Sequence, residues 1–283
     1  MDEAQIEKLK GKSKQCFATF WILVFVWIFF SFIDVNRPPN NTANLKISIL
    51  KTLPILTMFA NGVSRANAHG WTTFYKFTAL AFLLHGAGDF LLGEDFFKIG
   101  LGAFLVAHLM NIKAFNANAN AEVKEKLPFP GQQRYYLPFL VVLIIALAFL
   151  FAVARTDEET GENLGIADSI IMTIAVPIYG TVLASCLWRS YHRRDKCDAK
   201  TESADMWKRV MIGYCIYAVS DTLIAVDKFS TAVGEPQRTI IVMTSYWGGQ
   251  WLITCAGDVE HPASNLFFGG LKIGASPEGG EAA

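Results

Sequence analysis

Residues 83–93 read LLHGAGDFLLG, which sets His85 and Asp89 four apart in a run that is otherwise apolar or small. A second aspartate, Asp221, stands in YCIYAVSDTLIAV, with Tyr217 one turn earlier and Ser220 beside it. Lys51, His108, Tyr246 and Gln250 complete a short set of polar side chains inside apolar runs. An ionisable group in hydrocarbon is costly unless partners or water meet it, so each is a functional candidate. Carboxyls in such surroundings move protons. A carboxyl withdrawn from water is more easily kept protonated and can act as a general acid, while a second, ionised one acts as base. Proton-coupled transport draws on the same residue types. Either chemistry needs helices that carry these side chains to a common place.

The chain has 283 residues, and 52% are hydrophobic, gathered into runs longer than a soluble core requires. A bilayer core of about 30 Å asks for roughly 17–25 apolar residues per helix. Eight segments qualify: 17–33, 47–60, 75–92, 96–112, 136–154, 168–188, 209–227 and 240–255. The expected fold is an all-α integral membrane protein, a bundle of about eight transmembrane helices. Residues 1–15 form a polar N-terminus with four lysines, 16–256 the transmembrane domain, and 257–283 a polar tail. Pro54, Pro138 and Pro177 fall inside spans, where neighbouring helices can re-satisfy the freed carbonyls. Basic and acidic residues balance at 25 each, so nothing global suggests nucleic acid. The five cysteines, Cys16, Cys186, Cys197, Cys215 and Cys255, have no zinc spacing and are expected as small hydrophobes.

Lysine and arginine placement sets the orientation. With the N-terminus in the cytosol, most of them fall on the cytosolic side, and the segment RSYHRRDKCDAKTESADMWKR (189–209) decides the matter. The acidic TDEETGEN falls opposite, and both termini are expected in the cytosol. NNT at 40–42 is then a lumenal glycosylation sequon at Asn40.

At about 1.5 Å of rise per residue, Lys51, His85, Asp89, Asp221 and Tyr246 fall ~5–10 Å beneath the lumenal helix ends. Gln250 falls ~15 Å and His108 ~18 Å below on the same rise, which leaves His108 nearer the cytosolic half. That depth argues against a metal set of two histidines and two aspartates. His85 and Asp89 share a helix face and are expected to pair. The contexts AGDFLL and VSDTLI look alike and fall in the third and seventh spans. A duplicated four-helix unit would leave such a trace. Against these stand plainer readings: an aspartate bonded to a neighbouring helix, Lys51 snorkelling to the surface, Tyr246 and Gln250 as interhelical hydrogen-bonders. The remaining aromatic residues read as packing and interface belts.

With these residues in hand the sequence resembles the YhhN-like lysoplasmalogenases, a family of multi-span membrane hydrolases. KTLPIL (51–56), FLLHGAGDFLL (82–92), FKIGLGAFLVAHLMNI (97–112), YAVSDTLIAVDKF (217–229) and MTSYWGGQWLI (243–253) carry the resemblance. They span most of the chain from 47 to 255. In the first piece a threonine follows the lysine where the family pattern has proline.

The resemblance implies hydrolysis of the vinyl ether bond of lysoplasmalogens, with choline or ethanolamine head groups. The products would be a fatty aldehyde and a glycerophospho base, and the setting the endoplasmic reticulum membrane. No cofactor is implied, and the partners are a lysophospholipid substrate and membrane lipid. Asp89 and Asp221 would divide the acid–base work, with His85 orienting Asp89 or relaying protons. Tyr246 and Gln250 would position water or the glycerol oxygen, and Lys51 would meet the phosphate. Ser220 and His108 complete the expected substrate-binding set. Two other classes stay open beside this one: a proton-coupled transporter and a non-catalytic lipid-sensing membrane protein.

Overall fold

Long apolar segments in which each backbone group must find a partner within its own segment favour helices. The computed structural model describes residues 3–34, 41–94, 96–117, 166–197, 202–229 and 237–254. Among these residues there are seven α-helices and no strand. They are α1 (Glu3–Asp34), α2 (Asn41–His69), α3 (Thr73–Gly93), α4 (Phe97–Asn116), α5 (Ile166–Lys196), α6 (Glu202–Phe229) and α7 (Gln237–Ile253). The expected span at 136–154 lies outside the described residues, as do TDEETGEN, Asn40, Cys255 and the tail 257–283. Among the described residues two stretches, Leu45–His69 and Phe97–Asn116, are long and apolar enough to cross a membrane, and the apolar run Lys14–Phe30 is shorter.

The helices overrun the apolar segments. The span expected at 47–60 is part of a helix of 29 residues. It stops where Gly70 takes φ +91, a backbone conformation that glycine adopts without a Cβ penalty. Thr72 then caps α3 by accepting from the Tyr75 amide at 3.4 Å. The basic segment 189–209, expected as a loop, is mostly helix: α5 continues to Lys196 and α6 begins at Glu202. The reason is a tertiary bond. Buried Arg193 donates through Nε (2.8 Å) and Nη2 (2.6 Å) to the Phe115 carbonyl, and through Nη2 to the Ala117 carbonyl at 2.7 Å. These are end carbonyls of α4, which have no intrahelical donor and favour a cation.

Helices consecutive in this numbering pack side by side from α1 through α7, and α7 returns to touch α2. An aromatic seam joins α1 to α7: Trp27 meets Trp247 edge-on at 5.0 Å, and Phe17 meets Trp251 at 4.8 Å. Close approach is set by glycine. A Cβ on Gly88 would lie 2.9 Å from the Phe104 ring across α3 and α4. A Cβ on Gly249 would lie 2.8 Å from the Gly213 carbonyl across α6 and α7.

Candidate active site

A cavity of about 200 Å³ opens between α2, α3, α4, α5, α6 and α7. Its wall is mainly apolar, with Leu92, Phe97, Leu101, Phe104, Leu183 and Leu187 among the lining residues. The ionisable side chains on it are Lys51, Asp89, Asp221 and the tyrosines 179, 214 and 246. Four of the sequence-predicted residues therefore share one cavity although they come from four helices: Lys51 (α2), Asp89 (α3), Asp221 (α6) and Tyr246 (α7).

The two acids are held differently. Asp89 is buried, and its Oδ1 lies 4.0 Å from the Lys51 ammonium. Its Oδ2 has no hydrogen-bond partner among the described residues. The Tyr246 hydroxyl stands beside this carboxyl without closing a hydrogen bond. Asp221 is half-buried and accepts a short hydrogen bond at Oδ2 from the Tyr179 hydroxyl. Lys51 keeps 16% of its side chain exposed, so it reaches the cavity rather than snorkelling free of it.

Two expectations need correction. His85 does not pair with Asp89. Neither ring nitrogen of His85 has a hydrogen-bond partner among the described residues, and its ring lies 5.6 Å from Phe104 and 5.8 Å from Tyr217. Sharing a helix face brings the two side chains near each other, but Asp89 meets its ion partner on α2 instead. His108, for its part, is not isolated by depth: its ring lies 5.0 Å from that of His85. The hairpin register explains this. Gly88 faces Phe104 and Gly100 faces Leu92, so residues about equally far from the α3–α4 junction stand opposite each other. Depth counted from each helix end leaves out the junction itself. Side chains also lean toward their own helix N-terminus, which tips these two toward each other. Distance therefore no longer argues against a metal set; among the described residues no group of three His, Cys, Asp or Glu side chains converges as ligands would.

His85, Ser220, Gln250 and His108 are buried but do not line the cavity. The Ser220 hydroxyl is committed to the Val242 carbonyl at 3.0 Å and ties α6 to α7. The Gln250 amide has no partner among the described residues. His108 stands one layer behind the wall, with Nε2 3.2 Å from the Tyr179 hydroxyl. The Tyr217 ring packs 5.0 Å from His108 and 5.3 Å from Tyr246.

Tyr179 is the residue that sequence reasoning missed. It sits in VPIYG on α5 among apolar neighbours and reads there as packing. The nearby Pro177 and Gly180 were the available signal, since a proline inside a helix frees a carbonyl that polar groups often gather around.

This arrangement can hold an apolar chain against two carboxyls in different electrostatic settings, with a cation beside one of them. A family model described as the YhhN family matches residues 47–256, the interval that contains every one of these side chains. No curated protein and no solved structure matches the chain. The family match covers well over half of the sequence, and the chain belongs to the YhhN family.

Proposed function

We propose that this protein is a membrane hydrolase that cleaves the vinyl ether bond of lysoplasmalogens, releasing a fatty aldehyde and a glycerophospho base. Membership of the YhhN family suggests lysoplasmalogenase-like activity. The observation that carries the reading is the cavity: two carboxyls from helices far apart in sequence line one otherwise apolar space. A vinyl ether is itself an apolar group that becomes charged only when it reacts.

Enol ethers hydrolyse by protonation at carbon. A carboxyl O–H breaks as a C–H bond forms at the alkene carbon remote from oxygen, and the other alkene carbon becomes an oxocarbenium ion. Water attacks that carbon and gives its proton to the second carboxylate. The hemiacetal gives its hydroxyl proton to the first carboxylate, the C–O bond to glycerol breaks, and the glycerol oxygen takes the proton held by the second carboxyl. The acids end as they began, so no cofactor is required. The low-dielectric wall strengthens the carboxylate's attraction for the cation. Lys51 would meet the substrate phosphate, and the alkenyl chain would lie along Leu101, Leu183 and Leu187, which line the same cavity.

The proposed setting is a bilayer, with eight spans, a two-fold repeat of four, both termini cytosolic and residence in the endoplasmic reticulum; the apolar stretches Leu45–His69 and Phe97–Asn116 support the membrane part of it. The test is release of aldehyde from lysoplasmenylcholine by the purified protein, with a saturated ether analogue as control. Aldehyde from the vinyl ether alone is expected. No aldehyde from any lysoplasmalogen, with proton-coupled flux in liposomes, would replace the hydrolase with a transporter. Lipid binding without turnover would leave a sensor.

A further inference from the structure

The two carboxyls share a cavity but not their surroundings, and the difference divides the catalytic labour. We propose that Asp221 is the proton donor to the alkene carbon, that Asp89 is the carboxylate facing the cation, and that Tyr179 positions Asp221. This rests on the vinyl ether hydrolase reading above.

Asp89 lies 4.0 Å from the Lys51 ammonium in a mostly apolar setting. Were Asp89 to carry the proton, Lys51 would be left as a largely buried cation without its partner, an expensive arrangement. The ion pair thus keeps Asp89 as the charged member. Its Oδ2 is free of hydrogen bonds from the described residues and remains available to the developing oxocarbenium ion and then to the attacking water.

Asp221 has no ion-pair partner among the described residues. Its neighbour is a neutral hydroxyl, which donates to Oδ2 and leaves Oδ1 as the oxygen that can carry a proton into the cavity. As that proton passes to carbon, negative charge grows on Asp221, and the hydrogen bond from Tyr179 strengthens with it. An interaction that is stronger in the transition state than in the ground state accelerates the step. The tyrosine is itself oriented. Its only hydroxyl proton goes to Asp221, so toward His108 its oxygen must accept, and the Nε2 of His108, 3.2 Å away, is the donor. The Nδ1 of His108 has no hydrogen-bond partner among the described residues, which agrees with the proton residing on Nε2. His108 and Tyr179 therefore form a line of donors ending on one oxygen of Asp221, whereas Asp89 faces the Lys51 ammonium, with the Tyr246 hydroxyl beside it. The hemiacetal proton returns to Asp221 and the proton on Asp89 leaves with the glycerol oxygen, which closes the cycle.

The assignment is tested with a lysolipid in which a secondary ammonium stands at the ether position, a stable mimic of the cation. Its affinity for the full-length protein in detergent is measured by calorimetry, which needs no turnover. Asp89→Asn is expected to weaken binding about tenfold or more and Asp221→Asn by much less. Equal weakening, or greater weakening by Asp221→Asn, overturns the assignment. Tyr179→Phe keeps the ring and removes the hydroxyl. Its kcat should fall roughly 10²-fold, the scale seen when one preorganised donor is removed, with KM and ammonium-lipid affinity unchanged. A wild-type kcat, or a fall shared by KM and affinity, overturns the positioning role. Tyr179→Phe also serves if an Asn variant does not fold. Wild-type protein that releases no aldehyde instead sinks the underlying hydrolase reading, so the two failures are told apart.

Discussion

The cavity wall around Asp89 and the wall around Asp221 look alike in sequence and differ in structure. AGDFLL and VSDTLI both set an aspartate after a small residue and before an aliphatic pair. On one wall the partner is an ammonium from α2; on the other it is a phenol from α5, held in turn by a histidine of α4. A carboxyl's chemistry follows from the charges and donors that surround it. A similar local pattern therefore yields two unlike acids once different helices close over them.

The largest effect should come from removing either carboxyl. Asp89→Asn and Asp221→Asn are each expected to lower aldehyde release by about 10²–10⁴-fold, the usual contribution of a positioned acid or base, while gel filtration shows folded protein. Wild-type-like turnover in either one would break the comparison, because one wall would then do all the work.

Next comes the ion pair. Lys51→Met should lower kcat roughly tenfold, equivalent to about 1.4 kcal/mol in the barrier, by leaving Asp89 unpaired. Kinetics on an alkenylglycerol lacking the phosphate sharpen the point: the same tenfold loss there assigns Lys51 to Asp89. A loss confined to phosphate-bearing substrate, seen in KM, assigns it to the head group.

A packing change tests the Asp221 wall from behind. Gly249→Ala would set a methyl 2.8 Å from the Gly213 carbonyl and 3.0 Å from the Tyr217 amide, both backbone atoms. A loss of about 1–3 kcal/mol is expected, read as a lower thermal midpoint in detergent. An unchanged midpoint would show that α6 and α7 can part without cost.

The smallest effect belongs to Ser220. Ser220→Ala removes the bond to the Val242 carbonyl and should cost about 1 kcal/mol of stability with turnover near wild type. A large loss of turnover at unchanged stability would return Ser220 to the substrate-binding set from which its geometry has withdrawn it.

Much of this was legible in the chain. Helix after helix follows from apolar length, and α3, α4, α6 and α7 agree with the sequence limits to within a turn or two at each end. Asp89, Asp221, Lys51 and Tyr246 could be singled out because a polar side chain in an apolar run is costly and so conspicuous. Tyr179 could not, since a tyrosine in an apolar helix is ordinary and its hydroxyl matters only through what it meets. The overextension of α5 was equally hidden: Arg193 looks like a loop residue until the open carbonyls at the end of α4 are found beneath it.

The sequence by itself determined that the chain is helical, that a few polar groups interrupt its apolar runs, and which family it belongs to. These are properties of composition and local spacing, and they need no knowledge of neighbours. Only the tertiary structure decided that Asp89 meets a cation and Asp221 a hydroxyl, that His108 stands beside His85, and that Ser220 faces away from the cavity. Partnership between helices depends on register and on the direction in which each side chain leaves its backbone. Both are set by the packing of the whole bundle rather than by any one of its segments.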